Sequence, residues 1–426
     1  MEYYESEAQY LKDLDKRSGL PEGFLVSTAF VNFIPGEKPV VEKLSMNLTL
    51  IKLKEPSECF GAVYTKNAFP GAPVILGRKR LNNKFIRGIL INNRIANVSA
   101  RNGEEDAERI LKELAELLGG SSQDYIPAST GIIGWKLPVE EIVKALPGLA
   151  VNLRGGSVLS AAKAIMTTDS FPKVRQEKVG DGTVVGIAKG AGMIEPNMGT
   201  MLAFILTDLY LDREEMRKIL KKSVNRTFNR ISIDGDQSTS DTAVIVSSGK
   251  KKTADFSEVE RAVEEVCRKL AEDIVRNGEG VGHVMEVAVK RAPSEEVAVN
   301  IGKAVINSPL VKTAVFGNDP NVGRLLSSVG DYCGTNVPEL SLRNLRINLG
   351  GIEVFSDRFF RLDTEKERRL ADYLKNCGFN PALHGYPVHD KKVEIVIDLG
   401  EGTENAKVLG SDLSYQYVKE NADYRS

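Results

Sequence analysis

The chain has 426 residues, enough for two or three domains at about 150 residues each. It is 42% hydrophobic and 27% charged, a balance that fills a core and leaves a solvated surface. Lys and Arg number 57 against 58 Asp and Glu, a net charge of −1, which argues against a polyanion or an anionic membrane as partner.

The first residues, "MEYYESEAQYLKDLDKRSG", read as a short helix or a loose tail. They lack the apolar run of a secretory signal, and no later apolar run reaches the ~20 residues that span a bilayer. The four cysteines (Cys59, Cys267, Cys333, Cys377) are scattered without a CxxC, so a reduced, cytoplasmic chain is expected, with the thiols as core filler. The segments "TLIKL" (49–53), "RGILIN" (87–92), "TAVIVSSG" (242–249), "HVMEVAV" (283–289) and "VEIVIDLG" (393–400) predict strands.

Between them lie helical patterns. In "NGEEDAERILKELAELLGG", Ala107, Ile110, Leu111, Leu114, Leu117 and Leu118 share one face, and Gly119 is the expected stop. In "SEVERAVEEVCRKLAEDIV", Val259, Val263, Val266, Leu270 and Ile274 form the stripe with Cys267 beside it. Ser257 and Glu260 stand at capping-box spacing there. Helices interspersed with strands predict α/β or α+β layering. The Pro-Ser helix start in "KRAPSEEV" (290–297) is the best candidate boundary between a main domain, about 20–290, and a C-terminal domain, about 291–426.

Several motifs are excluded on inspection. "DGDQSTSDT" (234–242) opens like a calcium loop but has Thr239 where a Gly is needed and Ile245 where a Glu is needed, so a hydrogen-bonded turn entering the next strand is expected. "GEGVGH" (278–283) lacks dinucleotide-loop spacing, and no GxxxxGK[ST] occurs. "GNDPNVGR" (317–324) reads as a turn. The three histidines, His283, His384 and His389, show no zinc spacing.

The stretch "KGAGMIEPNMGTMLAFILTD" (189–208) places Gly199-Thr200 just before an apolar run. A threonine hydroxyl is a weak nucleophile without a base, and no histidine is signalled nearby. Cutting the Gly199–Thr200 bond would give Thr200 an α-amine of pKa about 7.7–8.0 beside its own hydroxyl, a base held covalently in place. A turn leading into a core strand explains the same residues, and spacing alone leaves both readings open.

The same segment resembles the self-cleavage segment of the ornithine acetyltransferase (glutamate N-acetyltransferase, ArgJ) family. So do, in order, "GAVYTKNAFPGAPV" (61–74), "ASTGIIGWKLP" (128–138), "AAKAIMTTDSFPK" (161–173), "DGDQSTSDT", "RNGEG" (276–280), "GNDPNVGR" and "YVKENADYRS" (417–426). The chain differs from the family pattern at Gly199, usually Ala, at Val322, usually Trp, and through "INNRIANVSARNG" (91–103), which retains little of an Asn-rich stretch.

The resemblance implies an N-terminal-nucleophile-like, self-processing α/β fold with a smaller C-terminal α/β domain. Cleavage would divide it into an α chain, 1–199, and a β chain, 200–426. It implies Thr200 as nucleophile, Thr130 and Gly131 as oxyanion donors, and Thr167, Lys189, Glu279, Asn421 and Ser426 as substrate contacts. The implied reaction moves acetyl from N2-acetylornithine to glutamate, in ping-pong order through acetyl-Thr200, for arginine biosynthesis in the cytoplasm. No metal or organic cofactor is implied, and the implied assembly holds two copies of each chain. Acetyl-CoA as a second donor stays open. Three alternatives stand beside this reading: a paralogue with another acyl donor or acceptor, a self-processing amidase or aminopeptidase in which water is the acceptor, and an uncut, non-enzymatic chain.

Overall fold

Strand and helix signals alternate along this chain, and the described residues form three sheets with helices laid against them. A computed structural model describes residue 4 and residues 6–37, 42–195, 201–252, 255–378 and 391–422. The larger compact unit comprises Leu11–Asn229 and Asp236–Ile274; the smaller comprises Met1–Tyr10, Arg230–Gly235 and Val275–Ser426. The expected mixed α/β layering is present in both.

The larger unit holds two sheets. One runs in spatial order Phe24–Phe33, Leu44–Ser57, Ile86–Asn92 and Tyr125–Ser129. Against it pack the helices Gly103–Leu118 and Val139–Val151, with Leu48, Leu50, Ile110, Leu111, Leu114, Trp135, Ile142 and Leu146 in one core. Fully burying each such aliphatic side chain contributes about 1.5–3 kcal/mol. Gly119 ends the first of these helices at φ +83, its N–H donating to the Ala115 carbonyl, as the stop signal predicts. Leu117 departs from the expected stripe and is 47% exposed; its position turns past the edge of the contact face.

The second sheet runs Phe60–Tyr64, Thr242–Lys251, Leu202–Leu209, Gly182–Lys189, Lys173–Val179. Gly182–Lys189 and Leu202–Leu209 are buried at every position, the signature of strands covered on both faces. The helix Phe256–Arg276 covers one face, and Gly186 lets it approach. A Cβ at Gly186 would stand 2.6 Å from Val266 Cγ1 and 2.8 Å from Leu270 Cδ1. Val259, Val263, Val266, Cys267, Leu270 and Ile274 are all buried, as their spacing requires.

That helix starts two residues earlier than expected, at Phe256. Asp255 accepts from the Ser257 N–H at 2.8 Å, so Asp255 is the capping residue and Ser257 lies within the first turn. A carboxylate two residues ahead of that N–H reaches it directly, which displaces the Ser257–Glu260 box.

The smaller unit is built on a seven-stranded sheet in the order Phe359–Phe360, Ile352–Ser356, Arg346–Leu349, Val393–Asp398, Val284–Ala292, Glu404–Ser411, Ile231–Ser232. Its core joins Met285, Val287, Val289, Ile301, Val305, Val329, Ile347, Leu374, Ile395 and Val408. The Pro-Ser signal is a helix start: Ser294 accepts from the Val297 N–H and caps Glu295–Asn307. This helix packs on the sheet that contains Val284–Ala292, so 290–297 lies inside the smaller unit. Among the larger segments, the division falls at residues 274 and 275. "GNDPNVGR" is a turn, with Asn321 capping Val322–Asn336. The N-terminal segment forms the helix Glu7–Lys16.

Candidate active site

The segment that would carry the nucleophile connects two strands. Gly182–Lys189 and Leu202–Leu209 run antiparallel with Lys189 opposite Leu202, so residues 190–201 join neighbouring strand ends. Gly199 and Thr200 lie outside the described residues, as does Ser426. The flanks are described: the Glu195 N–H donates to the Asp236 carbonyl at 3.0 Å, and the Thr242 N–H donates to the Met201 carbonyl at 3.0 Å.

Thr130 and Gly131 follow the strand Tyr125–Ser129. The Thr130 N–H donates to Asn92 O at 3.1 Å and the Ile132 N–H to Arg94 O at 2.9 Å, leaving Gly131 at the apex of the turn. Gly131 has φ +125, and a Cβ there would lie 2.2 Å from the Arg94 carbonyl carbon. Only glycine fits, for conformation and for space.

The apex rests on the 91–103 stretch, which is heavily hydrogen-bonded. Ser129 Oγ donates to Asn92 Oδ1 at 2.6 Å, and Asn92 Nδ2 donates to Ile95 O at 2.8 Å. Arg94, Asn97, Ser99 and Asn102 all take positive φ, so this backbone doubles back tightly. Asn93 Nδ2 donates to the carbonyls of Ala164 and Met166 at 3.1 and 2.8 Å, which binds the chain just before Thr167 to the same stretch.

Thr167 and Lys189 meet through a residue that motif reading passed over. The carboxylate of Asp169 accepts from the Thr167 N–H at 3.0 Å, from the Gly190 N–H at 2.7 Å and from Lys173 Nζ at 2.5 Å. Asp169 and Lys173 side chains are both wholly buried. Burial pushes the Asp169 pKa up, but the charges of Lys173 and Lys189 and the Gly190 N–H outweigh it and hold it down at about 2. Lys173 also stands 5.3 Å from the centre of the Phe171 ring. Lys189 itself is 7% exposed, which sets aside a solvated surface lysine.

A second buried carboxylate was also missed. Asp241 precedes Thr242, the residue paired with Leu202. It is 2% exposed, its carboxylate oxygens make no hydrogen bond of good geometry among the described residues, and the Thr65 hydroxyl and the Met201 N–H face it. Burial holds its pKa well above the usual carboxylate range. The surrounding "DGDQSTSDT" residues satisfy one another: Ser240 N–H donates to Ser238 Oγ, and Thr242 Oγ1 donates to Ser240 O. The segment is the hydrogen-bonded turn that its composition predicts, with a buried acid at its end.

In the smaller unit, Glu279 is 8% exposed and accepts from Asn421 Nδ2 at 2.9 Å. Gly280, at φ +60, lets Tyr417 approach, since a Cβ there would stand 2.2 Å from the Tyr417 nitrogen. Ser414 Oγ donates to Gly280 O at 2.5 Å, and Tyr417 Oη donates to Asp234 Oδ2 at 3.2 Å. The polar helix Tyr415–Ala422 is therefore fastened down, where a chain end of this composition ordinarily frays.

The chain matches the family model for the ArgJ family over residues 36–426. The Arginine biosynthesis bifunctional protein ArgJ of Caldanaerobacter subterraneus subsp. tengcongensis is 36% identical over 425 residues, covering 97% of this chain and 99% of that one. The Glutamate N-acetyltransferase of Methanocaldococcus jannaschii is 39% identical over 394 residues, covering 88% and 93%. Among solved structures, the Arginine biosynthesis bifunctional protein argJ of Bacillus halodurans is similar at 31% identity, over 52% of this chain and 99% of that one, with a TM-score of 0.46. A match running through nearly the whole length, joined to the ordered motifs whose described parts form the turn at Gly131 and the cluster at Asp169, makes this chain a member of the ArgJ family of arginine-biosynthesis enzymes.

Proposed function

We propose that the chain is a glutamate N-acetyltransferase that cleaves itself between Gly199 and Thr200 and carries the acetyl group on Thr200. The observation that carries this reading is the family match over residues 36–426, with a relative named Glutamate N-acetyltransferase at 39% identity.

The chemistry runs in two half-reactions. The freed α-amine of Thr200 takes the hydroxyl proton as Oγ1 attacks the acetyl carbonyl of N2-acetylornithine. The hydroxyl of Thr130 and the N–H of Gly131 donate to the developing oxyanion; a turn locked by Asn92 and Arg94 pre-pays the orientation of those donors. Collapse passes the proton to the departing ornithine amine and leaves acetyl-Thr200. Glutamate then attacks that ester, returning the hydroxyl.

Lys189 takes a substrate carboxylate, with Asp169 fixing the backbone at the adjoining Gly190 and at Thr167. Glu279, held by Asn421, faces the substrate's amino end, and Thr167 and Ser426 complete the contacts. The working enzyme is cytoplasmic and contains two copies of each chain.

The test is acetyl release from N2-acetylornithine with and without glutamate. Release that depends on glutamate, with acetylglutamate formed in equal amount, supports the transferase. Release at the same rate into water, without acetylglutamate, replaces it with the amidase.

A further inference from the structure

A carboxylate on a loose turn makes a poor ligand for an ammonium, because binding must first order the turn. Glu279 sits on such a turn, between Gly278 and Gly280. The Gly278 N–H donates to Val275 O at 3.0 Å and the Val281 N–H to Gly278 O at 3.1 Å, so Glu279 and Gly280 form the corner, with Gly280 at φ +60. Both bonds are local. Something else must fix the corner to the fold.

Residues 412–414 of the same unit do so as they leave the strand Glu404–Ser411. Asp412 Oδ1 accepts from the Gly282 N–H at 2.8 Å, and Ser414 Oγ donates to Gly280 O at 2.5 Å. One bond lies on each side of Val281, directly after the corner. Gly282 makes room for the carboxylate, since a Cβ there would stand 2.7 Å from Asp412 Oδ2.

Asp412 is fixed in turn by His283. The Asp412 N–H donates to His283 O at 3.1 Å, and His283 Nδ1 lies 2.7 Å from Asp412 Oδ2. The other ring nitrogen, Nε2, donates to Leu374 O at 3.1 Å, because a carbonyl only accepts. Asp412, His283 and Ser414 are 3%, 4% and 6% exposed. A buried carboxylate is costly unless its oxygens are hydrogen-bonded, and both oxygens of Asp412 are committed to Gly282 and His283. The strand ladder is already closed by the pairing of Val284 with Ser411, so these bonds act beyond the sheet, on the turn.

We propose that Asp412 and Ser414 are positioning residues for Glu279, setting its carboxylate for the free ammonium of N2-acetylornithine, with His283 orienting Asp412. The inference rests on the substrate role given to Glu279 above. In that donor the α-nitrogen is acylated, so the side-chain amine carries the positive charge and is the complement of a carboxylate. Asn421 holds the Glu279 side chain at Oε2, and residues 412–414 hold the backbone beneath it.

The experiment is a double-mutant cycle on the full-length enzyme. It measures kcat and KM for N2-acetylornithine in wild type, Asp412→Ala, Glu279→Gln and the double variant, with thermal melting of each. Asp412→Ala is expected to lower kcat/KM about tenfold, mainly through KM, and by less than about twofold once Glu279 is replaced, because it acts through that carboxylate. Equal losses in the two backgrounds overturn the proposal, since Asp412 then supports the fold at large. A loss of less than about twofold in the wild-type background overturns it as well.

If Asp412→Ala does not fold, Ser414→Ala takes its place in the cycle. A loss of about threefold is then expected in the wild-type background and none with Glu279→Gln, and equal losses again overturn the proposal. A Glu279→Gln variant with wild-type kcat/KM would instead refute the substrate role of Glu279 itself.

Discussion

Replacing Lys173 by Met tests how the substrate-side cluster is held together. Lys173 is wholly buried and supplies the neutralising charge for Asp169, which is equally buried. Truncating one member of a buried ion pair leaves the other charge uncompensated, at a cost of about 3–5 kcal/mol. Here two N–H donors, from Thr167 and Gly190, stay on the carboxylate, so the low end applies, about 3 kcal/mol. For a unit of this size that corresponds to a drop of about 6–12 °C in melting temperature.

The pH dependence has a definite sign. The folded Asp169 pKa, about 2, lies below its ordinary value, so its stabilisation is complete above about pH 4 and is lost as pH falls toward 2. The gap between wild type and Lys173→Met must therefore be widest near neutrality and close in acid. Denaturant unfolding at pH 7 and pH 3 measures both. A variant within about 1 kcal/mol of wild type at pH 7 refutes the claim that Lys173 neutralises Asp169.

Gly131→Ala puts a methyl group 2.2 Å from the Arg94 backbone at a φ that L-residues rarely adopt, so the turn must move. The expected result is at least a 100-fold fall in kcat for acetyl transfer, the scale of losing one oxyanion donor. Asn421→Ala removes the 2.9 Å bond to Glu279; steady-state assays should show KM raised several-fold and kcat changed less. Asp255→Ala removes the cap of the helix Phe256–Arg276 and should cost about 1 kcal/mol in denaturant unfolding, whereas Ser257→Ala should cost less.

Periodicity read the sheets and helices well where one face is buried. The stripe from Val259 to Ile274 and the five strand runs all lie in cores, because alternation and 3.6-residue spacing report burial directly. Capping was less legible: Asp255 and Ser257 both have cap chemistry, and only the backbone decides which reaches the Ser257 N–H. The Pro-Ser signal at 290–297 is a helix start within the smaller compact unit; a cap marks where a helix begins, whatever it packs on.

Around the candidate site, Thr130, Gly131 and Lys189 are expected from the family resemblance, whereas Asp169 and Asp241 carry no such signal. Asp169 lies four residues before Lys173, yet its other partner, Gly190, comes from a distant strand end, and no local spacing announces that bond. Asp241 is conspicuous through its burial, an observation that exists only once its neighbours are placed. The 91–103 stretch departs from the family's Asn-rich pattern. It still supplies Asn92 and Asn93, which hold the turn at Gly131 and the chain before Thr167.

The most direct test of the central claim is the intact mass of the purified chain, with N-terminal sequencing of any fragment, for wild type beside Thr200→Ala. Wild type is expected to yield two pieces, residues 1–199 and 200–426, the second beginning Thr-Met-Leu, while the variant stays whole. A wild-type chain that remains uncut after long incubation, yet transfers acetyl to glutamate, would contradict Thr200 as a self-generated N-terminal nucleophile.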